Sequence, residues 1–224
     1  MDIKPIAYIK TDFKEKFGIP RQSGIIENIK GEIIFEKEFR NPEAFRGIEE
    51  YSHLWLIFDF CENHREKWSP TVRPPRLGGN KRVGVFATRS PFRPNNLGLS
   101  CVKLETIKND KNNGISLIVS GIDLLDNTPI YDIKPYIPYC DCKTDATGSF
   151  SDQFKDYKIG VFYDEKIFEN IDFDTKENII KIIEQNPIPS YKNEKKIYKF
   201  IFSKYEISFE IFNEKAEILN IEKI

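Results

Sequence analysis

Residues 97–122, LGLSCVKLETIKNDKNNGISLIVSGI, are the stretch on which the fold turns. Runs rich in β-branched and apolar residues at 97–107 and 115–122 read as strands, and NDKNNG at 109–114 is a turn between them, its Asn and Gly tolerating the left-handed backbone a tight reversal needs. Working outward, residues 3–9 form an isoleucine-rich first strand. Ile26, Ile33 and Phe35 around Lys30-Gly31 predict a hairpin-like pair over 25–39. Asn41-Pro42 opens a short helix that ends near Gly47, with Asn as cap and Pro in the first turn. SHLWLIFDFC at 52–61 is the most hydrophobic run, too short for a helix of consequence, and reads as a central strand apolar on both faces. Residues 81–88 read as another strand. Many short strands punctuated by Gly and Pro favour a closed or nearly closed barrel over a doubly wound sheet.

Composition shifts near residue 150. Residues 151–224 hold twelve lysines and no arginine. Asp174-Thr175-Lys176-Glu177 resembles a capping box, Ile179, Ile180, Ile182 and Ile183 follow, and Asn186-Pro187 stops the helix. Three strands, at 197–203, 205–212 and 217–221, finish the chain. The expectation is therefore a mainly β protein: a barrel domain over 1–150 and a small α+β domain over 155–224.

The whole chain of 224 residues has net charge −1, but residues 65–103 carry nine Lys and Arg against Glu66 alone, so this segment is +8 on a body of −9. Such asymmetry is the footprint of an anionic partner. Arg73, Arg76, Arg82, Arg89 and Arg93 have planar forks suited to phosphate or carboxylate, and prolines 74, 75, 91 and 94 stiffen the loop that carries them. No apolar run approaches the roughly 20 residues of a membrane span, and the N-terminus lacks a signal peptide's apolar core, so a soluble cytoplasmic protein is expected.

Dinucleotide and P-loop glycine fingerprints are absent. Cys140-x-Cys142 with His53 and His64 is a poor zinc set, so no metal is expected. The four cysteines read as reduced thiols, Cys61 as a buried, inert one. His53 reads as a core histidine held by a backbone partner, and Trp55 as core. Asp123, Asp126 and Asp132 lie between apolar segments, and with Lys134 and Tyr136 they form a group able to handle protons. Residues alone thus lead to a barrel with an arginine-rich anionic site beside a carboxylate loop, either an enzyme or a non-catalytic barrel binding single-stranded nucleic acid.

Four ordered blocks go further: KEKFGIPRQSG (14–24), GIEEYSHLW (47–55), VRPPRLGGNKRVGVFATRSPFRPNNLGLS (72–100) and DLLDNTPIYDIKPYIPYCD (123–141). They resemble the signature blocks of the TsaA-like family, also called TrmO. The resemblance implies an S-adenosylmethionine-dependent tRNA methyltransferase on a small non-Rossmann β-barrel, acting as a homodimer. The implied target is N6 of threonylcarbamoyladenosine at position 37, beside the anticodon. It further implies that Arg21, Gln22, Ser23, Gly24 and Ile25, with Leu124, Leu125, Asp126 and Asn127, wrap the cofactor, and that Arg93 meets its carboxylate. Lys14, Arg73, Arg76, Arg89 and Asn95 fall to tRNA, and Asp132, Lys134 and Tyr136 to the reacting base, Asp132 being the first choice for proton acceptor. This chain departs from the family at Asn127, where Gly is usual, at Asn96, where Pro is usual, and at Asn186-Pro187-Ile188-Pro189, where an acid and an arginine are lost.

Overall fold

The computed structural model describes residues 2–110, 114–188 and 196–224. Its strands are β1 (Ala7–Thr11), β2 (Lys30–Phe35), β3 (His53–Asp59), β4 (Thr71–Val72), β5 (Val83–Gly84), β6 (Leu97–Asp110), β7 (Gly114–Ser120) and β8 (Thr128–Pro135). A one-turn helix α1 (Pro138–Asp141) follows, then β9 (Gly160–Phe162), α2 (Phe173–Glu184), β10 (Ile197–Phe202), β11 (Tyr205–Phe212) and β12 (Lys215–Lys223). Six strands close a barrel in the order β1-β2-β7-β6-β3-β8, every neighbouring pair antiparallel. Closure leaves no free edge, and the inward side chains fill the interior: Ile9, Ile33, Leu54, Leu56, Leu117, Val119 and Ile130 are fully buried.

The long β6 and its partner β7 stand where the strand-forming runs and the NDKNNG turn predict; part of that turn, 111–113, lies outside the described residues. Four local expectations need correction. Residues 25–29 form no strand, and Lys30-Gly31 begins β2 instead of turning a hairpin. Gly31 is glycine for another reason: a Cβ there would sit 2.9 Å from the Ile9 side chain, across the β1–β2 pair. The run at 52–61 is not apolar-buried on both faces, because β3 alternates, with Leu54, Leu56 and Phe58 inside and His53, Trp55 and Ile57 half-buried outside. Residues 81–88 supply only the two-residue β5, paired with β4, before a 3-10 turn at Val85–Ala87.

Helix α2 also starts earlier than the capping-box reading places it. Its cap is Asp172, whose carboxylate accepts from Thr175 N–H at 2.9 Å. Ile179, Ile182 and Ile183, spaced i, i+3 and i+4, are its buried stripe. The helix lies with a sheet of order β10-β11-β12-β9, in which β9 runs parallel to β12, a strand that local patterning did not reveal. The loop after β1 reaches this sheet. Phe13 packs on Phe202 at 5.4 Å and Phe17 on Phe209 at 6.3 Å, so barrel and C-terminal sheet share one apolar cluster. Phe13 also bridges Phe202 through the backbone, Ser203 N–H donates to Asp12 O at 2.9 Å, and Ile201 N–H donates to the Glu15 carboxylate at 2.8 Å.

Candidate active site

A cavity of about 530 Å³ opens at one end of the barrel, within the range of small-molecule sites. Phe58, Gly98 and Ser100, from β3 and β6, form its floor, and four loops wall it: residues 19–22, 60–63, 88–93 and 123–125. Gly98 permits this floor, since a Cβ would overlap the Phe58 ring at 2.2 Å.

Each loop is fixed by backbone or buried polar groups. Gly24 N–H donates to Gly121 O at 2.8 Å, a close approach in which a Cβ on Gly121 would stand 3.4 Å from the Gly24 backbone, and Cys101 N–H donates to Ser23 Oγ at 3.2 Å. Phe60 N–H donates to Asn96 O at 2.8 Å, tying the loop after β3 to the one before β6. Arg93 turns a guanidinium N–H onto Thr88 O at 2.8 Å and Val85 O at 3.3 Å. Asp126 and Asn127 N–H donate to Phe13 O and Ile9 O, each at 2.8 Å.

The walls carry both signs of charge. Arg89 donates to the Gln22 side-chain carbonyl, and Arg21 to Asn186 O at 3.2 Å. Burial lowers the Arg21 guanidinium to about 10, with the neighbouring Arg76 adding to the effect. Asp123 accepts from the Ser100 hydroxyl at 2.6 Å. Burial pushes its carboxyl up to about 6, against the Ser100 and backbone hydrogen bonds and the more distant Arg89, which favour the charged form. Asp59, buried at the end of β3, stands 2.7 Å from His64 Nε2.

The structure gathers part of the expected cofactor set. Arg21, Gln22, Arg93, Leu124 and Leu125 line the cavity, whereas Ser23, Gly24, Ile25, Asp126 and Asn127 lie outside its lining. Asp126 is engaged on the β1 side, where it accepts from Thr11 N–H and the Lys14 ammonium, each at 2.9 Å. Its carboxyl sits below the usual range because these partners outweigh its desolvation. Asn127 takes φ +62°, the left-handed turn expected of the residue that replaces Gly. Of the residues assigned to tRNA, Arg89 lines the cavity, Arg73 and Asn95 are exposed nearby in sequence, and Lys14 pairs with Asp126.

Arg76 behaves differently from its neighbours. It donates to Gln185 O at 2.7 Å and stacks 4.1 Å from the Tyr157 ring. Asp132 and Lys134 lie on β8 and Tyr136 just beyond it, all three outside the cavity lining. Asp132 and Lys134 form a 2.9 Å pair, and the Tyr136 ring lies 5.7 Å from Trp55, which lines the cavity. Trp55 is thus not core: it is half-buried, and its indole N–H donates to Asp141 at 2.9 Å. His53 is also outside the barrel, with Nδ1 2.9 Å from Ser52 Oγ instead of a backbone partner. Cys61 is exposed, not buried, and partial desolvation followed by Asp59 pushes its thiol up. Asp59 and Glu62 are acids in the lining that sequence reasoning did not single out as site residues; Asp123 was placed in the proton-handling group and lay within a recognised block, but only burial against Ser100 separates it from an ordinary turn aspartate. Among the described residues no cluster of three or more His, Cys, Asp or Glu could hold a metal ion, and no helix is long and apolar enough to cross a membrane.

Residues 8–142 match the family model of the tRNA-methyltransferase O N-terminal domain. The chain is 38% identical over 193 residues to the tRNA (adenine(37)-N6)-methyltransferase of Escherichia coli, an alignment covering 84% of this chain and 82% of that protein. It is 47% identical over 150 residues to a putative S-adenosylmethionine-dependent methyltransferase, RcsF, of Pseudomonas aeruginosa, covering 67% of this chain and 60% of the relative. The crystal structure of TrmO from Pseudomonas aeruginosa superposes with a TM-score of 0.76 at 30% identity, covering 99% of this chain and 98% of that one.

Proposed function

Because the chain belongs to the tRNA-methyltransferase O family, we propose that it is an S-adenosylmethionine-dependent tRNA (adenine(37)-N6)-methyltransferase whose substrate is threonylcarbamoyladenosine, next to the anticodon. The observation that carries this reading is the mixed-charge cavity at the barrel mouth, lined by Arg89, Arg93 and Asp123 over a floor that glycine keeps open. Those groups suit a ligand with both a carboxylate and cationic centres: a guanidinium fork for the carboxylate, and an acid with backbone carbonyls for the amino and adenine ends. S-adenosylmethionine, when bound, supplies an electrophilic methyl group and needs no metal to do so.

The chain's own residues then have two tasks. Arg21, Gln22, Arg93, Leu124 and Leu125 hold and align the donor, since in-line transfer gains most from positioning. Asp132, oriented by Lys134, takes the N6 proton, while Tyr136 and Trp55 offer ring faces to the base that is swung out of its single-stranded loop. The carbonyl group on N6 of the threonylcarbamoylated base makes that N–H more acidic than in plain adenosine. This brings the step within reach of a carboxylate. Leu97 and Leu99 on β6 line the cavity yet stay exposed, apolar surface that supports a homodimer, and a tRNA substrate supports a cytoplasmic location. In this reading residues 1–150 carry the reaction.

The test is transfer of labelled methyl to tRNA that carries or lacks the threonylcarbamoyl group. Incorporation only into the modified tRNA is expected, and Asp132→Asn should lower kcat with little change in cofactor affinity. Calorimetry that finds RNA binding but no S-adenosylmethionine binding would overturn the reading in favour of a non-catalytic barrel.

A further inference from the structure

Two large rings stand outside the cavity where burial would be the default. Phe86 is 72% exposed and Trp68 49%, with centroids 6.0 Å apart and planes tilted by 34°. We infer that Trp68 and Phe86 form a stacking platform for one base of single-stranded RNA beside the cavity; the inference rests on the tRNA reading of that site. Phe86 is held outward by its neighbours. Val85 is fully buried, its N–H donates to Pro70 O at 2.9 Å, and its carbonyl accepts from the Thr88 hydroxyl at 2.8 Å and from Arg93. The same Pro70 follows Trp68 by two residues and leads into β4, so the β4–β5 pair fixes the two rings relative to each other.

The chemistry around the rings selects the occupant. They lie in the segment whose charge is +8, and the Arg93 guanidinium is 5.9 Å from the Phe86 ring centre. In the same segment the Arg65 guanidinium lies 3.7 Å over the Phe92 ring. Rings interleaved with arginines are the arrangement that binds single strands, ring to base and guanidinium to phosphate. At this separation and tilt the rings leave no space between them for a base, so the base stacks on the outer face of Phe86. Arg89, three residues on, lines the cavity, so the platform holds a nucleotide flanking the one that reacts.

The experiment measures binding of tRNA, and of an anticodon stem-loop RNA with single abasic replacements, to wild type and to the Phe86→Ala, Trp68→Ala and Phe86→Trp variants. Phe86→Ala is expected to weaken RNA binding about 5- to 150-fold. S-adenosylmethionine affinity and the log–log salt slope should stay unchanged, because stacking releases no counterions, and Phe86→Trp should restore binding. One abasic position should weaken wild type but not Phe86→Ala, the non-additivity of a direct contact. Unchanged RNA affinity in the alanine variants, or additive losses at every abasic position, overturns the platform. So does a change in molar mass of Phe86→Ala by light scattering, which would assign the patch to a second copy of the chain. Wild type that binds RNA with these signatures but methylates none of it would sink the proposed activity and leave the platform standing. A KM for tRNA unaffected by Phe86→Ala, with methylation intact, does the reverse.

Discussion

Arg76 and Arg82 stand six residues apart on one proline-rich segment, and the fold uses them in opposite ways. Arg76 is half-buried on Gln185 O and the Tyr157 ring, and Arg21 reaches Asn186 O one residue further on, so two guanidiniums meet the carbonyls just past the C-terminus of α2. That end carries partial negative charge and unpaired carbonyls, which the arginines satisfy. Arg73 and Arg82 are exposed, Arg82 with one side-chain bond, 3.0 Å to Thr71 Oγ1. Cations that look alike in the sequence therefore divide into those that fasten the loops to the C-terminal region and those left for a partner. Burial marks the difference, lowering the guanidinium pKa of both Arg21 and Arg76.

The contrast breaks first at Arg76. Arg76→Ala should lose about 2–3 kcal/mol of stability, the range for hydrogen bonds to charged groups together with the stacking on Tyr157, read as a lower urea midpoint. Tyr157→Phe should lose about 1 kcal/mol, because it keeps the ring under Arg76 but removes the hydroxyl that accepts from the Asn186 amide. A midpoint unmoved in both would place Arg76 with the exposed group. The buried side of the contrast extends to an acid. Asp123 has a raised folded pKa, so its contribution to stability is fully present below about pH 4 and is lost as pH rises through about 6. Asp123→Asn should remove that fall, seen by comparing unfolding midpoints at pH 4.5 and 7. The smallest stability effect belongs to the exposed arginines: Arg73→Ala with Arg82→Ala should change it by less than about 0.5 kcal/mol. The same double substitution should reduce the salt slope of tRNA binding by about 0.7 for each phosphate that the two arginines neutralise. A flat salt response in wild type would argue against phosphate binding altogether.

These divisions show what could be read without coordinates. The barrel was legible because strand-forming composition at 97–107 and turn residues at 109–114 are local signals that neighbouring strands reinforce. Gly31 misled because its role is a close approach to Ile9, twenty-two residues away, and local chemistry cannot distinguish that from a turn. The stretch 81–88 has strand composition, yet Val85 turns in and Phe86 out around a 3-10 turn that only tertiary packing defines. Of the cavity's lining, Arg21, Gln22, Arg93, Leu124 and Leu125 lay within the recognised blocks. Trp55 was misplaced because a strand closed into a barrel has an outer face, and whether that face meets solvent or a cavity is decided by loops far off in sequence.

The C-terminal sheet, unlike the barrel, has an end that could recruit another chain. Strand β10 is its border, and its outward backbone would serve as a template for intermolecular pairing. Glu15, Asp12 and Phe13 occupy that border, taking the N–H groups of Ile201 and Ser203 and bridging Phe202. The segment just upstream of the Pro20-Arg21-Gln22 loop is therefore also a guard against polymerisation, and a chain nicked between β1 and residue 18 should aggregate through β10 before its barrel opens.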